Sequence, residues 1–290
     1  MRFKQLSQKL VPVFLMAPLS LWLLLFAIIP ISYGLWLSLH HAFIENLSEL
    51  RWAGLTNYRL LFGDAKFLQS LQWSLLFAVI SVAIEMTLGM GIAQLFNRRV
   101  PGKGLAITFL LLPMLVSAAL MGTIFRLLLN EFVGPIAYLL QPISQGAALL
   151  GPEWANRTLI LADVIACTPF VFINVYSALQ SIPEEVLESA SVEGANAWQR
   201  FSRISFPMIL PIIGVTFLER LIAAFLIFDL VYTMTGGGPG TITQSVSIYI
   251  YRRAFGRSNF GMANAGSFTL AVMLLIPSLV LVKRLLRSLQ

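Results

Sequence analysis

Six apolar runs constrain this chain more than anything else in it. They cover about residues 11–39, 67–96, 105–129, 158–179, 208–234 and 262–282. Each can cross the roughly 30 Å hydrocarbon core of a bilayer, for which a helix needs about 20 residues. A backbone in lipid must satisfy its own hydrogen bonds, so the runs are expected as helices. Only 11% of the residues are charged, against about 25% in ordinary soluble domains, too few to coat a water-facing surface. The reading is an all-α integral membrane protein with about six transmembrane helices, one domain over residues 1–290 with the lipid bilayer along its flanks.

A net charge of +7 would suggest nucleic acid in a soluble protein. Here the basic residues cluster at the ends of the apolar runs: Arg2, Lys4 and Lys9, then Arg98, Arg99 and Lys103, then Arg200 and Arg203, then Lys283, Arg284 and Arg287. Basic residues gather on the cytoplasmic side, so both termini, the 98–103 turn and the 181–207 segment are expected there, and no nucleic acid partner is expected. Arg252, Arg253 and Arg257 fall outside, against the rule. The first run is too long for a signal peptide and reads as an anchor. Segments 130–156 and 235–243, with several Gly and Pro, are expected as outer loops. One cysteine, Cys167, excludes an intramolecular disulfide and a thiolate cluster. The adjacent His40 and His41 cannot share a helix face; with Trp52, Tyr58 and Phe62 they read as interfacial, and no metal site is expected.

The segment 181–207 is polar where its neighbours are greasy. Ser181 and Glu184 have capping-box spacing, and Pro183 is tolerated in a first turn. A short helix from Ser181 puts Ile182, Val186 and Ala190 on one face, Leu187 beside them, and Glu185 and Glu188 opposite. Gly194 can end it. A second short helix, apolar at Trp198, Phe201 and Ile204, leads to Pro207. The expected product is a hairpin, apolar toward the bundle and acidic outward. The pattern alone also describes an ordinary acidic loop.

The spacing carries more. Glu188-Ser189-Ala190, three residues, Gly194, nine residues, then Ile204-x-Phe206-Pro207 resembles the "EAA" loop of permeases in binding-protein-dependent ABC importers. It departs by Ser189 for Ala, Phe206 for Leu and Glu193 for a frequent Asp. "WAGLTNYRLLF" (52–62) and "FDLVYTMTGGGPGTIT" (228–243) look like segments of the carbohydrate-uptake subfamily, which holds the maltose and glycerol-phosphate permeases. The resemblance spans essentially the whole chain. It implies a bacterial inner-membrane subunit forming half of a pathway for a sugar or sugar-like solute. It implies a second permease, two ATPase subunits and an extracytoplasmic solute-binding protein as partners. Glu185, Glu188, Ser189, Ala190, Gly194, Ala195, Ile204 and Pro207 would form the ATPase-coupling joint. The only Gly-Lys pair, Gly102-Lys103, precedes Gly104 rather than Ser or Thr, so no phosphate loop is present. No catalytic residue and no cofactor is expected in this chain, with ATP and Mg on the partner ATPase.

Ionisable residues within spans are candidates for the pathway: Glu85, Asp163, Glu219, Arg220 and Asp229. Glu219 and Arg220 are neighbours, so they point apart; a structural ion pair is the other reading. A sugar site needs aromatic faces and hydroxyl-bonding groups. Thr168, Phe170, Asn174 and Tyr176 surround Pro169, which frees a backbone carbonyl, and Phe225, Phe228 and Tyr232 lie on the fifth span; helix packing is the other reading of these aromatics. The alternatives are a permease for a non-sugar solute and a secondary carrier. A carrier would have matched broken helices in two halves, and the sequence has no convincing repeat.

Overall fold

The computed structural model describes residues 2–46, 49–98, 101–144 and 148–288. Arg99, read above as part of the cytoplasmic turn, lies outside them. The fold is helical, and strand among the described residues is confined to the two-residue pair β1 (His40–His41) and β2 (Arg51–Trp52). The chain divides into two compact units, Met1–Asp64 with Ile250–Ala271 and Ala65–Tyr249 with Val272–Gln290.

In the first unit, α1 (Arg2–Ser38) carries the first apolar run and leads into β1, β2 and then α2 (Thr56–Gly63). The end of α1 is closed by Asn57: its buried side-chain amide donates to the Ser38 and His40 carbonyls at 2.7 and 2.8 Å. Carbonyls at a helix C-terminus have no intrahelical donor, which is what the Gly-Leu-x-Asn-Tyr stretch supplies. Arg253 forms an ion pair with Asp64 in the same unit, which gives one of the exceptional outer arginines a local partner.

The second unit is built on α3 (Ala65–Phe96), followed by α4 (Lys103–Leu111), α5 (Ala118–Leu128), α6 (Pro135–Ser144) and α7 (Ala155–Gln180). Next come α8 (Glu184–Val192), α9 (Ala197–Arg200), α10 (Phe206–Phe225), α11 (Asp229–Met234) and α12 (Val246–Tyr251); α12 and α13 (Phe260–Ser288) are each divided between the two units. The 130–156 segment, expected as loop, holds the helix α6. The core seam joins α3 and α7. A Cβ on Gly89 would lie 2.6 Å from Val171 Cγ1 and 3.1 Å from the Phe172 nitrogen, so only glycine permits this approach.

Five helical spans are long and apolar enough to cross a membrane, and α4 with α5 makes a sixth only as a pair bent by 96°. The third run is therefore not one straight helix. Pro113, which lacks an N–H, sits in a 3₁₀ turn (Leu112–Leu115), and Ser117 restarts the helix by accepting from the Leu120 N–H at 3.4 Å. The fifth run is broken too: α10 stops at Phe225 and α11 starts at Asp229. The Leu226 carbonyl at that break accepts from the Ser247 hydroxyl at 2.9 Å.

Candidate functional site: a buried charge cluster and a polar hairpin

Both breaks open onto one place. A cavity of about 270 Å³ is lined by Ala118 at the start of α5, by Asp163 and Cys167 of α7, by Arg220 of α10, and by Leu226, Ile227, Phe228 and Asp229 at the α10–α11 break. Irregular backbone at membrane depth is tolerated where it is buried in protein or lines a cavity; the α10–α11 break does the latter, and the α4–α5 break ends at the cavity with Ala118.

Behind the cavity, Arg220 Nε and Nη2 donate to the two Glu85 carboxylate oxygens at 2.8 and 3.1 Å. Such a two-point pairing fixes orientation as well as charge. Nη2 also lies 3.5 Å from Asp163 Oδ2. Glu85, Asp163 and Arg220 are 0, 4 and 8% exposed. Arg220 thus bridges α3 and α7 from α10. Glu219, its neighbour, turns to the exposed side of α10, as adjacent helix positions must. Cys167, one turn after Asp163, contacts Asp163 Oδ1 at 3.7 Å; sequence reasoning did not place it in the site, although its four-residue spacing from Asp163 was the available signal.

The other candidates separate. Phe170 and Asn174 continue the stripe of α7 that carries Asp163 and Cys167, and the Asn174 amide donates to the Phe170 carbonyl at 3.0 Å. Thr168 is buried on another side, with no hydrogen bond to its hydroxyl. Tyr176 is not part of the cavity: near the end of α7 it stacks on Phe172 at 5.5 Å, with the Lys103 ammonium 4.8 Å above its ring. Phe225 is buried, whereas Phe228 lines the cavity and stacks on Tyr232 at 5.1 Å.

The 181–207 segment forms the expected hairpin with a different start. Ser181 caps the end of α7, and its hydroxyl donates to the Ala178 carbonyl at 2.7 Å, so it makes no capping box with Glu184. Helix α8 begins one turn later, at Glu184, after Pro183. The capping box lies instead at Asn196 and Gln199, at the head of α9. Gly194 has φ +87°, with Ala195 N–H bonded to Ala190 O and Gly194 N–H to Ser191 O at 3.0 and 3.1 Å. That is the Schellman closure. Ile182 and Ala190 are buried and Glu185 and Glu188 exposed, as read from the sequence. Val186, assigned to the apolar inner side, is instead 37% exposed, and Val192 is 89% exposed; Trp198, though 71% exposed, borders a hollow with Met90, Gly91 and Gln94 of α3. The outer face is therefore mixed apolar and acidic. A π-turn (Phe201–Ser205) joins α9 directly to α10, with Pro207 at its first turn and Ile204 half-buried.

A family model described as "Binding-protein-dependent transport system inner membrane component" matches residues 85–290. The trehalose/maltose transport system permease protein MalF of Thermococcus litoralis is 30% identical over 92% of this chain and 90% of its own length. The trehalose transport system permease protein SugA of Mycobacterium tuberculosis is 32% identical over 90 and 84%. A chain of a bacterial ABC transporter involved in import of the acidic polysaccharide alginate shares the fold with a TM-score of 0.84, covering 99% of both chains at 23% identity.

Proposed function

The chain belongs to the family of binding-protein-dependent transport system inner membrane components, and from that premise we propose that it carries a sugar or sugar-like solute, coupled to a separate ATPase through the α8–α9 hairpin. It is a multi-pass membrane permease subunit of an ABC importer. ATP and Mg act on the partner ATPase, a second permease completes the pathway, and a solute-binding protein delivers from outside. Both termini and the hairpin lie in the cytoplasm.

The observation that carries the coupling role is the mixed outer face of the hairpin. Val186 and Val192 are exposed on the helix that carries the carboxylates of Glu185 and Glu188. An interface core wants apolar side chains with charged groups at the rim. The observation that supports the pathway role is the cavity where two spans lose their helical backbone. Phe228 offers a ring there, and Asp163 and Asp229 offer hydroxyl acceptors. Phe170 and Asn174 extend that path. Thr168 and Phe225 are buried away from that path, Tyr176 pairs with Lys103 of α4, and Glu219 faces away from the bundle core.

The test replaces Glu188 by Lys in the complex co-expressed with its second permease and ATPase. Loss of a charge pair costs roughly 2–5 kcal/mol when buried and less at a wet rim. The expected outcome is membrane-inserted protein with weakened ATPase capture and reduced uptake in vesicles. Wild-type uptake and capture would overturn the coupling role.

A further inference from the structure

The solutes named for the relatives and the fold neighbour include neutral disaccharides and an acidic polysaccharide. The charge of the cavity between the broken spans bears on which of these classes it suits. Among its described lining residues the ionisable side chains with formal charge are Asp163, Arg220 and Asp229. Arg220 is already matched: both its Nε and Nη2 are donated to Glu85, directly behind the cavity wall. Asp163 Oδ2 is buried with no hydrogen bond, and its nearest cation is that same Arg220 at 3.5 Å. Asp229 is exposed at the first turn of α11. Glu85, Asp163 and Asp229 against Arg220 leave a formal excess of two negative charges. Three helix ends meet the cavity, the N-termini of α5 at Ala118 and α11 at Asp229 and the C-terminus of α10 at Phe225; at about half a charge each they add about half a positive charge, which leaves the excess negative.

We propose, on the importer reading above, that this chamber passes uncharged, hydroxyl-rich solutes and turns away anionic ones, with Asp163 Oδ2 accepting a solute hydroxyl and Asp229 guarding the mouth. A hydroxyl arriving at Oδ2 supplies the hydrogen bond that a buried acceptor otherwise lacks. A phosphate or uronate arriving there meets like charge in a site of low dielectric, with no free cation among the described lining residues. Rejection by an unmatched like charge is as effective a source of specificity as attraction.

The experiment uses the whole transporter, with second permease, ATPase and binding protein, in proteoliposomes. Radiolabelled solutes are offered in pairs that share a skeleton: trehalose with trehalose 6-phosphate, maltose with its 6-phosphate, and glycerol with sn-glycerol 3-phosphate. The wild type is expected to favour the neutral member by about tenfold or more. The same binding protein is used throughout, so a change of ratio between variants reports on this chain. Asp229→Asn and Asp229→Lys should move the ratio progressively toward the anionic member. Asp163→Asn, which keeps the Glu85–Arg220 pair, should lower neutral uptake and also move the ratio. Preference for the anionic member in the wild type would overturn the charge selection alone, as would a ratio unmoved in all three variants. Uptake of no member of any pair by an assembled, ATP-hydrolysing complex would overturn the sugar reading and this inference with it.

Discussion

Arg220 illustrates what a single side chain determines here. It joins α10 to Glu85 of α3 across 135 residues of sequence and has Asp163 of α7 within ion-pair distance. A charge in the middle of a span must find a partner or water, so the candidacy of all three residues was legible from the apolar runs around them. Their pairing was not, because no local periodicity links positions so far apart. The opposite facing of Glu219 and Arg220 was legible, since it follows from helix geometry alone. Arg220→Met should leave Glu85 buried without its counter-charge and cost about 3–5 kcal/mol, whereas the double replacement Glu85→Met with Arg220→Met should recover much of that loss. Thermal unfolding of the detergent-solubilised complex measures both. A double variant no more stable than Arg220→Met would mean that the cluster does not hold these helices together.

At the scale of elements, the hairpin and the breaks differ in how plainly they were written. Gly194 announced the end of α8 and adopts the left-handed backbone expected of it. Pro113 and Ser117 held the signal for the break in the third span, but the apolar run concealed it, since neither residue interrupts the hydropathy. The break after Phe225 has no Pro or Gly to mark it; what permits it is the Ser247 hydroxyl, distant in sequence, capping the Leu226 carbonyl. The start of α8 was misplaced because Ser181 finds a nearer acceptor at the end of α7, a choice that the S-x-x-E spacing cannot reveal. Gly194→Val should strain the turn by roughly 1–2 kcal/mol, since left-handed backbone is unfavourable for an L-residue with a Cβ. Gly194→Asn should be tolerated better. Uptake in vesicles and limited proteolysis of the hairpin should rank glycine, asparagine and valine in that order, and equal behaviour of all three would dissociate the turn from coupling.

For the whole molecule, the expected threading is checked by single cysteines in a Cys167→Ala background, read with a membrane-impermeant maleimide. Leu55 and Ile242 are exposed sites on the segments assigned outside, and Val192 on the hairpin assigned inside. Leu55→Cys and Ile242→Cys should label in intact cells, and Val192→Cys only after permeabilisation; labelling of Val192→Cys from outside would invert the topology. That the chain is helical, with about six apolar stretches long enough to cross, was readable because lipid imposes a length and a polarity on each crossing. The cavity was not, because it arises where α5, α7, α10 and α11 converge, helices far apart in sequence. One feature of that convergence has a mechanical meaning. From Ala197 to Phe225 the backbone runs helical without interruption, through the π-turn and across Pro207. Helix α9 and the fifth span are thus one continuous helical rod, with α8 set off from it by the turn at Gly194. The Arg220 clamp lies near its far end, close enough to act as a fulcrum. Its tip is the Leu226–Phe228 break at the cavity wall, so on the proposed coupling role a short stroke applied at α9 would be delivered where the solute is proposed to sit.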